Sequence, residues 1–461
     1  MHVTFSGAAR EVTGSCHLVT VGEHTVALDC GLFQGRRAES REKNLRFPFP
    51  PERPSSVLLS HAHIDHAGRI PFLTRNGYTG TIWATAATRD LCAIMLADSA
   101  HIQEKDVEFL RRHHKDAVDP LYTEADIGPM MQQMVGEPYG RQFKVAPGIR
   151  ATYVDAGHIL GSASVILDCA ENNTTRRLVF SGDIGRWGLP VIRDPQPPTE
   201  GADLVIMEST YGDREHPPFT DMRSRLAQIV KDTAARGGRV LIPAFAVGRV
   251  QELVYDLHAL AREKAIPAIP IYIDSPLAVD ATSVFGMHPE VFDRTESLVT
   301  MVQDLFRFDL VHYTRDAAES KALNMQRGPM IIIAASGMVE AGRILHHIAN
   351  GATDPRNTIL IVGFQAEHTL GRRIVERRPM IKVFGDELPL RARVEVLNGY
   401  SAHADRRELN RWIDDVTEGR KQKPPVCLVH GEPPSQEALS SQLTQRGYQV
   451  RIPVPGDEVR F

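Results

Sequence analysis

The six residues His61-Ala62-His63-Ile64-Asp65-His66 carry four side chains able to bind a metal, and they follow directly on the apolar run SVLLS. That run reads as a short buried strand. In an extended segment His61 and His63 project to the same side. Once the chain turns, Asp65 and His66 can face a second point nearby. Two imidazoles for one cation, and a carboxylate with an imidazole for another, suit zinc, with manganese a compatible substitute. The bland alternative is a histidine-rich solvated loop, but it gives no reason for four ligand types in six positions behind a buried strand.

The pattern recurs along the chain. Apolar runs end in a ligand-type residue at Asp29 (TVALD), His158 (TYVDAGH), Asp183 (LVFSGD), Glu208 (LVIME) and His430 (VCLVH). Strand ends gathered on one edge of a sheet are where a scaffold presents polar groups to a site. Taken singly, Asp29 or Asp183 is as readily a turn cap. Their joint recurrence points to a shared site.

Short strand-like runs occupy 3–5, 17–21 and 25–28, a proline-laden connector fills 47–54, and a helical pattern covers 86–112. Strands return at 151–154, 164–167, 178–180 and 204–207. Helical segments (223–236, 248–264, 276–286) then alternate with apolar strands (240–242, 269–273, 330–333, 358–362). That alternation predicts a parallel sheet with crossover helices. Short strands resume at 394–397 and 426–429, with a helix at 405–417 between them. The simplest organisation is α/β: residues 1–208 and 383–461 form one domain, interrupted by an inserted domain at 209–382.

With 53 basic against 57 acidic side chains, the formal charge is −4. This lacks the footprint of a non-specific nucleic-acid coat, so any positive surface must be local. Five scattered cysteines without a C-x-x-C pair suit a reducing compartment. No signal peptide and no membrane-spanning run is apparent, which leads to the expectation of a cytoplasmic protein.

HAHIDH, His158 within DAGHILGSAS and Asp183 within FSGDIG resemble the successive metal motifs of the metallo-β-lactamase superfamily. GLP after that aspartate, MESTYG, NGYSAHAD and VHGE resemble its β-CASP branch of nucleases, and the resemblance extends over essentially the whole chain. It implies an αββα metallo-β-lactamase sandwich with an inserted parallel-sheet β-CASP domain. By the same resemblance His61, His63 and His158 hold one metal, Asp65, His66 and His430 the other, and Asp183 bridges both. Asp29 is then a carboxylate behind the ligands. Catalysis falls to Asp65, to His403 acting on the scissile phosphate and leaving group, and to Glu208 holding His403. Without the resemblance, His403 reads as part of a helix start in which Asp405 and Glu408 have capping-box spacing.

The function so implied is a zinc-dependent phosphodiesterase that hydrolyses RNA, as an endo- and/or 5′-exoribonuclease, with a hydroxide activated by two Zn²⁺ ions. One alternative is a DNA nuclease of the same branch, in which valine usually replaces the histidine found here at 430. Another is a small-ester hydrolase of the wider superfamily, which needs no inserted domain. A metal-free scaffold is disfavoured because every ligand position is filled.

For the substrate phosphates, Ser336-Gly337 follows the strand MIIIA and precedes a helical stretch containing Arg343, a suitable cradle of backbone N–H groups. Arg372 and Arg249 are candidate clamps. His368 and Ala341 stand where relatives usually carry glycine, which bears on the shape of the substrate channel. His113-His114 and His346-His347 read as surface or channel-edge residues. The expected partner is single-stranded RNA, gripped mainly by local charge because only 7% of residues are aromatic. No membrane is expected, and homodimerisation is left open.

Overall fold

The strand Leu204–Glu208 is buried along its whole length, because its two faces meet two different layers. Leu204 and Ile206 join a core with Val165, Leu167 and Phe180 of neighbouring strands and with Phe5, Val19 and Leu28 of a facing sheet. Val205 and Met207 point the other way, onto Leu409, Trp412 and Ile413 of the helix Arg406–Thr417 and Leu439 and Leu443 of the helix Pro433–Gln445. Strand side chains alternate in direction, so a strand covered on both faces must be apolar at every position. Trp412 is fully buried; cutting such a side chain to alanine typically costs about 3–5 kcal/mol.

The coordinates are a computed structural model that describes residues 1–35, 37–113, 119–217, 219–292, 306, 308–363, 365–419 and 422–461. Two units are distinguished within it. The first comprises Met1–Gly188, Arg193–Glu215 and His403–Phe461. It holds two seven-stranded sheets. One runs, edge to edge, through Glu458–Arg460, His2–Phe5, His17–Val21, His24–Leu28, Ser56–Leu58, Thr81–Ala84 and Met134–Gly136. The other runs through Val450–Arg451, Val426–Val429, Leu204–Glu208, Thr174–Phe180, Ala163–Glu171, Ile149–Asp155 and Gln142–Ala146. The helix Ala86–His113 packs against Met134–Gly136 of the first sheet. Helices outside two face-to-face sheets make an αββα sandwich.

The second unit comprises Leu189–Ile192 and His216–Ala402. Its six-stranded sheet is parallel throughout, in the order Val311–Tyr313, Ile271–Ile273, Met330–Ala334, Arg239–Pro243, Thr358–Ile361 and Arg393–Val396. The central strand MIIIA is wholly buried. A separate hairpin pairs Met380–Val383 with Asp386–Pro389.

These limits differ from the expected insertion at 209–382. Arg393–Val396 lies beyond the expected end, yet it pairs with Thr358–Ile361 as an edge strand of the second unit. Being an edge strand, it is only partly buried and reads RVEV rather than continuously apolar. At the other boundary, residues 209–215 stay with the first unit, where Tyr211 bridges to Asp405. All five cysteines are buried and free. Among the described residues, no helix is long and apolar enough to cross a membrane.

Candidate metal centre

Five strands of the first unit end close to one another. Asp29 follows His24–Leu28, the histidine motif follows Ser56–Leu58, His158 follows Ile149–Asp155, Asp183 follows Thr174–Phe180, and His430 follows Val426–Val429. Asp29 and His430 turn out of their strands at once, with φ of 61° and 48°. Such a left-handed residue reverses the chain within one position, at the expense of a sparsely populated conformation. The motif itself leaves its strand extended through His63 and enters a short helix, Ile64–Ala67. Gly31 lets that turn approach: a Cβ there would lie 1.6 Å from the carbonyl oxygen of Asp65.

Two groups of ligand-type atoms result. In the first, His61 Nε2 is 3.1 Å and His158 Nε2 3.2 Å from His63 Nδ1. Asp183 Oδ2 lies 3.4 Å from His61 Nε2 and 3.6 Å from His158 Nε2. In the second, His66 Nε2 is 3.2 Å from His430 Nε2, and Asp65 Oδ2 is 3.4 Å from the same nitrogen. The other oxygen of Asp183, Oδ1, is 3.3 Å from His66 Nε2. One carboxylate thus offers an oxygen to each group.

These spacings suit a cation. Ligands at about 2.0 Å from zinc in a tetrahedron stand about 3.3 Å from one another. Burial pushes His61 and His158 well below the usual imidazole range, and His63 down to about 4. Neutral imidazole is the ligand form. Facing lone pairs at these distances repel unless positive charge lies between them. Asp183 Oδ1 is buried and accepts no hydrogen bond among the described residues. The donor set therefore fits a bound metal.

Behind the ligands stands a polar support. Asp29 Oδ2 accepts from His66 Nδ1 at 2.7 Å, which fixes the tautomer and turns the Nε2 lone pair inward. The Asp29 carboxylate also accepts the Ser60 amide and the hydroxyls of Ser60 and Ser15. Ser60 Oγ lies 3.0 Å from His61 Nδ1, and Thr210 Oγ1 lies 3.2 Å from His430 Nδ1. Sequence reasoning missed Ser15, Ser60 and Thr210. Only Ser60 carried a signal, its position directly before the histidine motif.

His403 lies two residues before Asp405, which caps the helix Arg406–Thr417 in a capping box with Glu408. Its Nδ1 is 3.2 Å from Glu208 Oε1 and 3.9 Å from Asp183 Oδ2. Burial opposes its protonation, but the Glu208 and Asp183 carboxylates outweigh that and hold it up at about 9. A cationic imidazole beside the ligand groups can donate a proton.

The candidates in the second unit are committed differently. Arg249 is buried and ion-paired with Glu252 on its own helix. Arg343 donates to Asp274 at 2.6 Å and to the carbonyls of Thr314 and Arg315. Arg372 donates through Nε to the carbonyl of Gln365 at 2.9 Å. Ser336 does not start a helix: its Oγ accepts the amides of Glu340 and Ala341, and the helix begins only at Arg343. Gly337 packs against Phe245, whose ring leaves no room for a Cβ. His368 keeps a φ of 69°, the left-handed value for which glycine is favoured, whereas Ala341 needs no such conformation. His347, expected at the surface or a channel edge, is buried and bonded to Asp274 at 2.6 Å. His114 lies outside the described residues.

Three family models match the chain: "Metallo-beta-lactamase superfamily" over residues 9–195, "Beta-Casp domain" over 250–374, and "Zn-dependent metallo-hydrolase RNA specificity domain" over 387–453. The chain is 37% identical to Ribonuclease TTHA0252 of Thermus thermophilus, with 100% of each chain covered. It is 32% identical to Transcription termination factor FttA of Pyrococcus abyssi, covering 100% of this chain and 71% of that one. With Endoribonuclease ysh1 of Schizosaccharomyces pombe it shares 29% identity, over 97% of this chain and 56% of that one. A solved Enterococcus faecalis protein of unknown function has the same fold, with a TM-score of 0.55 at 12% identity over 99% of both chains.

Proposed function

The chain belongs to the β-CASP branch of the metallo-β-lactamase superfamily, a metal-dependent hydrolase, and from that premise we propose that it hydrolyses RNA at a two-zinc centre. The observation that carries the reading is the carboxylate of Asp183, with one oxygen toward each histidine group. The relatives named as ribonucleases support RNA as the substrate.

His61, His63 and His158 would hold one zinc, Asp65, His66 and His430 the other, and Asp183 both. When bound, two such ions supply Lewis acidity toward phosphoryl oxygens and make water easier to deprotonate. Asp29 keeps His66 in the tautomer that binds metal, and Ser60 steadies His61. Glu208 keeps His403 protonated and, through the Ile184 amide, ties its position to the residue beside Asp183. His403 then donates its proton to the departing oxygen of the phosphodiester. In the second unit, Ser336, Gly337 and Arg372 are the proposed phosphate contacts, while Arg249 and Arg343 brace the fold through their carboxylate partners.

Incubating the metal-replete protein with matched end-labelled single-stranded RNA and DNA, with and without chelator, tests this. Chelator-sensitive cleavage favouring RNA is expected. Equal or faster cleavage of DNA overturns the substrate, and full activity after exhaustive chelation overturns the metal chemistry.

A further inference from the structure

The hairpin Met380–Val383/Asp386–Pro389 turns through Phe384-Gly385, with φ of 53° and 96°. Two-residue turns of this kind favour asparagine or aspartate followed by glycine, because the first position is left-handed. Phenylalanine departs from that rule, and this one is also 59% exposed. Its ring packs against His346 in a tilted pair, with centroids 4.6 Å apart and planes inclined at 36°. Counting back along the strand, Lys382 and Met380 are exposed with Phe384, while Ile381 and Val383 enter the core.

The base of this hairpin lines a depression of about 540 Å³ that also receives Arg372, Arg373 and Arg378. Glu367, Glu376 and Glu387 line it too, and Glu376 is paired with Arg378 at 2.9 Å. Setting that pair aside leaves Arg372, Arg373 and Lys382 against Glu367 and Glu387, with Glu387 directly opposite Lys382 across the hairpin. Phe384 packs against His346 yet leaves more than half of its surface in solvent, in a strained turn on the same strand face as Lys382. Strain of this kind concentrates at functional surfaces.

We propose that the hairpin is a separate contact for single-stranded RNA, with a base stacked on the solvent side of Phe384 and neighbouring phosphates over Lys382 and Arg373. The proposal rests on the RNA reading above. Every base has a π face, so an aromatic platform flanked by cations binds single strands without regard to sequence. A protein partner would call for a contiguous apolar patch, whereas here Met380 and Phe384 are separated by a lysine.

The test compares steady-state cleavage of single-stranded RNA by the zinc-loaded parent and by Phe384→Asn, Phe384→Trp and Lys382→Ala. Phe384→Asn should raise KM for RNA about tenfold, the loss of one stacked base. It should leave kcat and the hydrolysis of bis(p-nitrophenyl) phosphate unchanged. Because asparagine suits the left-handed position, the melting temperature should hold or rise, which separates the effect from misfolding. Phe384→Trp should retain the parental KM, and Lys382→Ala should flatten the salt dependence of KM by about one charge. A KM for Phe384→Asn within about twofold of the parent overturns the stacking contact. So does a changed oligomeric state at unchanged KM, which would make the hairpin a protein interface. If the parent hydrolyses the small diester but not RNA, the RNA reading itself fails and this contact with it.

Discussion

Glu208 and His403 share a short contact, Oε1 to Nδ1 at 3.2 Å, and the same oxygen accepts the amide of Ile184 at 2.7 Å. The carboxylate is fully buried, so its charge acts on the imidazole with little screening.

The pairing sets a pH dependence. His403 is raised to about 9, so the proton it donates is present below that value and lost as pH rises through it. Part of the rise comes from Asp183, whose charge is offset once cations are bound. The Glu208 share survives. Glu208→Gln should therefore move the alkaline limb of the rate profile to lower pH, measured at saturating zinc. An unmoved limb would separate Glu208 from the titrating group.

Asp183→Ala removes the carboxylate common to both groups. Turnover should vanish, and bound zinc measured by elemental analysis should fall sharply. His403→Ala should keep the metals and lower kcat by about 10²–10⁴-fold, the usual scale for a general acid. Loss of metal in the His403 variant would reassign it as a ligand.

Asp29→Ala leaves the ligands in place but frees the His66 ring. Zinc affinity should weaken by about 10–100-fold, read by competition with a chromophoric chelator. Saturating zinc should restore much of the rate. Unaltered affinity would show that the hydrogen bond does not orient the ligand.

Asp274 is fully buried beneath Arg343, His347 and Ser320. Removing one partner of a buried ion pair typically costs about 3–5 kcal/mol, so Asp274→Ala should lower the thermal stability of the second unit and spare zinc binding. Arg343→Met should likewise act on stability. A raised KM for RNA at unchanged stability would instead restore Arg343 as a phosphate contact.

The sandwich was legible, and so was the gathering of ligand-type residues, because several of them close apolar strands, so local pattern and candidate site coincide at His61, Asp183 and His430. The edge strand Arg393–Val396 was legible as a strand but not as part of the inserted unit, because half-burial gives it a mixed sequence unlike the apolar strands it joins. Nor were the commitments of Arg249, Arg343 and His347. A charged side chain shows its type in sequence but not its partner, and Asp274 lies 73 positions from His347. Ser15 and Thr210 were hidden for the same reason, since what they hold lies across the fold.

His66 and His430 meet across 364 positions of chain. On a ribosome the first histidine group is complete once Asp183 has emerged, but the second stays open until the inserted unit and His430 have been made. A nascent chain of this protein therefore lacks the partner of His66 until His430 has been made.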